Sequence, residues 1–143
     1  MRWITALFLC FLLPLQFAWG GEIELHIGRH SIRATIANTP HSRERGLMRH
    51  NELCANCGML FIFPQPGKYS FWMKDTPRPL SIAFIAADGS ILNLDEMQAN
   101  STHSHRAQAN VLYALEMNRA WFAEHGVTQQ EQVQGLRQAP RGY

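Results

Sequence analysis

An alternation of apolar and polar residues near the start of the chain predicts a β-hairpin. Residues 23–27 alternate in the period-two pattern of a strand with one buried face. Residues 28–29, a glycine followed by an arginine, can turn the chain, and the alternation resumes over residues 32–36 as the partner strand. Further strands are predicted by apolar or alternating runs at residues 59–63, 69–74, 80–86, 90–94, 111–117 and 132–136.

Turn and capping residues separate these runs and place two short helices. Thr39 and Pro40 suit the N-cap and first position of a helix that Gly46 would end. Asn118 can cap a second helix ending near Gly126. The Asp88-Gly89 pair predicts a hairpin turn, the Pro-rich residues 64–67 a turn, and the polar residues 98–110 a surface loop.

Seven or eight short strands with at most two short helices predict a mainly β protein. The expected architecture is a small antiparallel β-sandwich or a partly open, jelly-roll-like barrel, because a parallel α/β sheet needs a long helix at each crossover. One domain is expected over residues 21–137, followed by a loose C-terminal tail at 138–143.

Residues 1–20 have the three parts of a cleavable signal peptide. Arg2 gives a positive start, the apolar segment 4–15 follows, and Ala18 and Gly20 offer small residues for cleavage. The apolar segment is shorter than the roughly 20 residues of a membrane-spanning helix, and no stop-transfer flank supports the alternative of an uncleaved anchor. We therefore expect an exported protein, periplasmic or secreted, without a transmembrane anchor after cleavage.

The charge balance argues against a nucleic-acid partner. The whole chain has 13 Lys and Arg and 11 Asp and Glu, and losing Arg2 leaves a net charge of about +1. Phosphate binding needs a clustered cationic face. The nearest approach, Arg43, Arg45 and Arg49, is interrupted by Glu44 and is explained by a solvated surface.

Without the signal peptide, Cys54 and Cys57 are the only cysteines, and their CxxC spacing allows three interpretations. In an oxidising compartment a structural disulfide is the first of them. The second is a redox-active pair, although no helix N-terminus is predicted to lower a thiol pKa there. The third is metal ligation, with His50, His103 and His105 as further candidate ligands. Five methionines could add soft thioether ligands suited to Cu(I), or simply fill the core: Met48, Met59, Met73, Met97 and Met117.

A block of residues on the predicted aromatic strand is the candidate ligand-binding site. If its apolar side chains face the core, Trp72 and Lys74 face the other way, next to Asp75 and Thr76. Trp72 offers stacking area and Lys74 can pair with a carboxylate or phosphate, which favours an anionic or sugar-like ligand. Glu116 is expected on the same face. The alternative is a structural Lys74–Glu116 ion pair shielded by Trp72.

Ordered motifs resemble a known family. The sequence contains RGLM at 45–48, GMLF at 58–61, FWMKDT at 71–76, PL at 79–80 and LEMN at 115–118. Over residues 32–133 this order strongly resembles the DUF192 family. The resemblance implies a compact β-sandwich or barrel, often with an export signal, and no agreed activity. Asp75 stands where the family usually has Asn, and Ser81 where it usually has Asp.

No common catalytic motif is present, and no cofactor is predicted, although a metal is possible. The leading expectation is a non-enzymatic module that binds a small ligand or a partner. The alternative is a periplasmic metal- or thiol-handling protein that uses Cys54 and Cys57 with Met or His ligands. A hydrolytic or sugar-modifying enzyme is the third hypothesis. The sequence leaves the ligand, the partner and the oligomeric state open.

Overall fold

A computed structural model describes residues 21–143, so the predicted signal peptide lies outside the described residues. Within that range the protein is mainly β, as predicted. Its strands are β1 (Glu22–Ile27), β2 (His30–Ala37), β3 (Cys57–Gly67), β4 (Ser70–Phe71), β5 (Leu80–Ile85), β6 (Ile91–Met97), β7 (His105–Arg106), β8 (Val111–Asn118) and β9 (Val133–Gln134). The helices are α1 (Pro40–Arg45), α2 (Trp121–Glu124) and a 3-10 turn at Leu136–Gln138. No helix within residues 21–143 is long and apolar enough to cross a membrane.

Seven strands form one curled, half-barrel sheet in the order β6-β5-β8-β3-β2-β1-β9, and β4 and β7 form a separate pair. Neighbours in the large sheet are antiparallel except β2 and β3, which run parallel. A parallel pair needs a crossover of a dozen or more residues. Residues 38–56 supply it, carrying α1 and a long loop between the two strands.

Both faces of the large sheet are buried, which follows from the alternation along its strands. In β3, Leu60 and Ile62 enter one apolar cluster, whereas Met59, Phe61 and Phe63 enter the other. The first cluster is closed by α2 and the second by β4 and the loop after it. The sheet therefore has two cores, and a polar residue on either inner face is isolated from water.

Local signals placed α1 and the first hairpin correctly. The Thr39 side chain accepts from the Ser42 N–H and the Ser42 side chain accepts from the Thr39 N–H, which is a capping box. Gly46 follows the last helical residue with a φ of 47°. The predicted hairpin at residues 22–37 forms as β1 and β2.

Three elements differ from the sequence prediction. Strand β3 runs on to Gly67 through the Pro-rich segment, with a shift in its register after Ile62, because that segment continues along β8 instead of turning away. The predicted aromatic strand at 69–74 is shortened to Ser70–Phe71, since it pairs only with the two residues of β7. Helix α2 starts after Ala120, and Asn118 is the last residue of β8.

The C-terminal residues lie against the sheet, in contrast to the expected loose tail. The Tyr143 N–H donates to the Asn38 carbonyl over 2.8 Å, and the Asn38 side chain donates to the Arg141 carbonyl over 2.9 Å. Arg43 also donates to the Tyr143 carbonyl. These polar contacts fix a segment whose composition gave no sign of order.

Candidate functional site

One end of the fold carries an outer cleft of about 810 Å³. It lies between α1, the loop that follows α1, and the segment after β4. Its volume is within the range of small-molecule sites. The residues that line it are His41, Glu44, Arg45, Met48, Arg49, His50, Asn51, Glu52, Trp72, Lys74 and Asp75.

A smaller inner pocket of about 240 Å³ adjoins the cleft and shares four of its lining residues, Glu44, Arg45, Met48 and Trp72. Four aromatic side chains line this inner pocket: Phe61, Phe63, Phe71 and Trp72. Its most buried polar side chains are Thr76 and Glu116, which are 5% and 4% exposed. The inner pocket thus combines aromatic walls with two buried polar side chains, and Arg43, Glu44 and Arg45 also line it.

The alternation of side chains along β8 places Glu116 in the wall of the inner pocket. Strand alternation sends Leu115 and Met117 into the first cluster and Glu116 to the opposite face. There Glu116 lies between Met59 of β3 and Ile82 of β5 in the strand register. In the described residues no ion pair to its carboxyl is found. Burial among apolar neighbours raises the pKa of Glu116 to about 8, so the group is mostly neutral at pH 7.

Lys74 and Glu116 do not form the ion pair that the sequence left open as an alternative, because no cation of residues 21–143 lies within 4.0 Å of the Glu116 carboxylate. Lys74 lines only the outer cleft, with its ammonium 5.5 Å from the centre of the Trp72 ring. Trp72 is 50% exposed and borders both hollows. Trp72 therefore separates a cation in the cleft from a neutral acid in the pocket.

Unusual backbone conformations occur where two loops of the cleft meet. Arg49 and Asp75 both have positive φ angles, 62° and 53°. The Arg49 N–H donates to the Asp75 carbonyl over 2.9 Å, which ties the loop after α1 to the segment after β4. Aspartate and asparagine tolerate this conformation better than other side chains, whereas an arginine there is strained. Such strain is concentrated at functional sites in many proteins.

The side chains of Asn118 and Arg78 hydrogen-bond to the loop that forms the rim of the cleft. The Asn118 side-chain nitrogen donates to the carbonyls of Leu53 and Cys54, over 3.3 and 2.9 Å. Arg78 donates to the Asn118 side-chain oxygen over 2.8 Å and to the Asn51 carbonyl over 3.0 Å. Sequence reasoning assigned Asn118 to a helix cap. Its structural role depends on contacts across more than sixty residues of chain, for which no local signal exists.

Cys54 and Cys57 are joined by a disulfide bond. His50 lines the outer cleft, and His103 and His105 lie with their rings 5.0 Å apart near the Asp95 carboxylate, which His105 contacts over 2.6 Å. Among residues 21–143 no group of three or more His, Cys, Asp or Glu side chains is arranged to hold a metal ion. The candidate ligands named from the sequence are thus distributed over separate places.

The fold and the cleft define a class: a small β domain whose curled sheet supports a ligand-sized hollow at one end of its crossover loop. The DUF192 family, described as Uncharacterized ACR, matches residues 23–135. The chain belongs to this family, in agreement with the motifs of its sequence.

Two solved structures are similar over most of the chain. A protein from Sinorhizobium meliloti 1021, described as a proposed transcription regulator, is 30% identical with a TM-score of 0.75, covering 80% of this chain and 92% of its own. A protein of unknown function from Novosphingobium aromaticivorans DSM 12444 is 28% identical with a TM-score of 0.77, covering 79% of this chain and 84% of its own. No protein with a curated description matches the chain.

Proposed function

We propose that the protein is a small-ligand-binding domain whose ligand lies in the outer cleft and reaches into the inner pocket. The observation that carries this proposal is the Glu116 carboxyl, which is 4% exposed, has no ion-pair partner in the described residues and lines the inner pocket beside its aromatic side chains. Desolvation holds this carboxyl mostly neutral at pH 7. An occupant of the inner pocket can therefore hydrogen-bond to it without displacing an ion pair.

The inner pocket favours a compact, planar or apolar group. Its volume of about 240 Å³ accommodates one ring, and its lining of Phe61, Phe63, Phe71 and Trp72 offers apolar and stacking contacts. The neutral form of Glu116 has one O–H donor and one carbonyl acceptor. A hydroxyl group at the buried end of the ligand would satisfy both of them.

The outer cleft favours an anionic group at the other end of the ligand. None of its three lining cations, Arg45, Arg49 and Lys74, is within 4.0 Å of a carboxylate in residues 21–143. Arg43 of the inner pocket donates instead to the carbonyls of Ile62 and Tyr143. With Glu116 neutral, four cations of the two hollows face three other carboxyl side chains. The cations are Arg43, Arg45, Arg49 and Lys74, and the carboxylates are Glu44, Glu52 and Asp75.

The description of the S. meliloti relative raises regulation of transcription as a possible function. The chain's net charge of +2 and the mixture of both signs in the cleft favour a small molecule over a phosphate backbone, which would need a continuous cationic face. A regulator that responds to a small ligand would still require such a site. The proposal therefore covers the binding of a small ligand and assigns no regulatory response to that binding.

Binding of 4-hydroxybenzoate tests the proposal, because this probe has a hydroxyl group, a ring and a carboxylate in one line. Ligand-observed NMR on the purified protein measures its Kd, with benzyl alcohol as the probe that lacks the anion. We expect 4-hydroxybenzoate to bind, and the Trp72→Ala and Lys74→Ala variants to weaken it about tenfold each. Lys68→Ala is the matched control, since Lys68 is the other lysine of the chain and lies outside the cleft.

Two results would overturn the proposal. One is the absence of 4-hydroxybenzoate binding at millimolar concentration. The other is binding that Trp72→Ala and Lys74→Ala leave unchanged, which would place the probe elsewhere. Both substitutions replace exposed side chains, so the variants should fold, and a thermal unfolding curve of each confirms that a loss of binding reflects the site.

A further inference from the structure

The Cys54–Cys57 disulfide lies beside a third hollow, which shares no lining residue with the outer cleft or the inner pocket. This hollow has a volume of about 430 Å³ and is lined mainly by β1 and β2. Its residues are Glu22, Ile23, Glu24, Ser31, Ile32, Arg33, Cys54 and Asn56. Cys54 is exposed and Cys57 half-buried, so an incoming reactant reaches the Cys54 sulfur more easily.

A guanidinium group lies next to both sulfurs. Arg33 of β2 is the register partner of Cys57 in β3. The backbone N–H of Arg33 donates to the Asn56 carbonyl over 3.0 Å. Its side-chain Nη2 lies 3.6 Å from Cys57 Sγ and 4.0 Å from Cys54 Sγ. In residues 21–143 no carboxylate lies within 4.0 Å of this guanidinium. Glu24, the register partner of Arg33 in β1, contacts His26 over 3.3 Å instead.

The loop that carries the cysteines is held by hydrogen bonds that do not depend on the sulfur–sulfur bond. The Cys57 N–H donates to the Cys54 carbonyl over 3.0 Å, and Asn118 donates to the same carbonyl over 2.9 Å. The Trp121 ring N–H donates to the Asn56 side-chain oxygen over 3.0 Å. These bonds keep the two sulfurs near each other and near Arg33 when the disulfide is reduced.

We propose that Cys54 and Cys57 form a thiol–disulfide exchange site that oxidises dithiols. A thiolate of the dithiol attacks Cys54 Sγ, the Cys54–Cys57 bond breaks, and Cys57 Sγ leaves as a thiolate beside Arg33. The second thiolate of the dithiol then attacks the dithiol sulfur that is bonded to Cys54. A disulfide forms within the dithiol, and Cys54 Sγ leaves as a thiolate. The dithiol loses two electrons and becomes a disulfide, while Cys54 and Cys57 gain both electrons.

Arg33 sets the direction of this exchange. A cation beside a thiol lowers its pKa and stabilises the thiolate. Stabilising the reduced form of a pair makes its disulfide a stronger oxidant, and a leaving thiolate of low pKa departs faster. Cys57 is both the sulfur closer to Arg33 and the less exposed one, which fits the leaving group, and the exposed Cys54 fits the sulfur that is attacked.

Equilibration with mixtures of reduced and oxidised glutathione, followed by alkylation and mass measurement, tests the proposal. Opposite charges about 4 Å apart in water interact by about 1 kcal/mol, which corresponds to about a fivefold change in an equilibrium constant. At about pH 9.5, above the ordinary cysteine pKa of about 8.5, the reduced cysteines are mainly thiolates. There we expect Arg33→Gln to make the disulfide about fivefold harder to reduce, and Arg33→Lys to restore most of the difference. Arg29→Gln is the matched control, because Arg29 is an exposed arginine outside this hollow.

Single-cysteine variants identify the attacked sulfur. In Cys57→Ser we expect Cys54 to form a mixed disulfide with glutathione readily, and in Cys54→Ser we expect Cys57 to react more slowly. A peptide containing two cysteines, incubated with the oxidised protein, shows by its mass whether a protein dithiol is also oxidised or only a small thiol reacts.

A structural disulfide gives a different set of results. The bond would stay oxidised in excess reduced glutathione, or Arg33→Gln would leave the exchange constant unchanged while thermal unfolding shows an intact fold. Either result overturns the proposal. The outcome is independent of the ligand experiment, since the cleft and this hollow share no residue.

Discussion

Replacing Glu116 with glutamine isolates the effect of the one carboxyl that is buried in residues 21–143. Glutamine has nearly the same shape and stays neutral at every pH. In the wild-type protein, burial raises the pKa of Glu116 from 4.5 to about 8. The folded state therefore holds a proton that the unfolded chain releases at a lower pH, and this linkage makes stability depend on pH.

The sign and size of the dependence follow from that shift. A carboxyl whose pKa is raised on folding contributes stability that is fully present below the unfolded pKa of 4.5 and is lost as the pH rises toward about 8. One pKa unit corresponds to about 1.4 kcal/mol, so the whole loss is about 5 kcal/mol. The Glu116→Gln variant does not lose this stability, because glutamine does not titrate. Its free energy of unfolding should match that of the wild type at low pH and exceed it by several kcal/mol above pH 8.

Urea unfolding of both proteins from about pH 5 to about pH 9 measures this difference, which should grow by about 1.4 kcal/mol per pH unit up to about pH 8. The difference between the two proteins cancels the contributions of other titrating groups. Glu52→Gln is the control, because Glu52 is an exposed carboxyl of the cleft and should give no such trend. A difference that stays constant across the range would refute the view that Glu116 is a neutral, desolvated acid in the folded protein.

Two further substitutions test the packing around the site. Gly58→Ala places a Cβ in steric overlap with the Glu116 carbonyl oxygen and Met117 Sδ, so urea unfolding should show a loss of about 1–3 kcal/mol. The control is Gly21→Ala, whose Cβ meets Ile36 Cδ1 at an ordinary contact distance of 3.9 Å, and it should cost little. Asn118→Ala removes the hydrogen bonds that hold the rim of the cleft. It should lower the free energy of unfolding by about 1–3 kcal/mol and speed amide hydrogen exchange in residues 51–56. Unchanged exchange in these residues would contradict the role assigned to Asn118.

Much of the fold was predictable because its signals are local. The hairpin of β1 and β2, the capping box of α1 and the turn at Asp88 each depend on residues a few positions apart. The parallel pairing of β2 and β3 was not predictable in this way. It depends on how a crossover packs, and the antiparallel pattern of every other strand pair gave no indication of it.

The candidate site was predictable only as separate residues. Strand alternation correctly placed Glu116 on the face opposite Leu115 and Met117, since that argument needs only the period of a strand. The assumption that Lys74 lies on the same strand face as Glu116 failed because β4 ends at Phe71, so the period no longer applies at Lys74. The loop of residues 46–52, which forms one wall of the cleft, was absent from the sequence-based site because it carries no motif pointing to Trp72.

The parallel pair explains why the site lies where it does. An antiparallel hairpin would have joined β2 to β3 with a few residues, whereas a parallel pair requires a long crossover. That crossover holds α1 and the loop after it, which line the cleft, and it ends in Cys54 and the start of β3. Asn118 binds the same loop from the end of β8, two residues after Glu116 in that strand. The cleft and the disulfide thus both depend on one connection that the sheet topology made necessary.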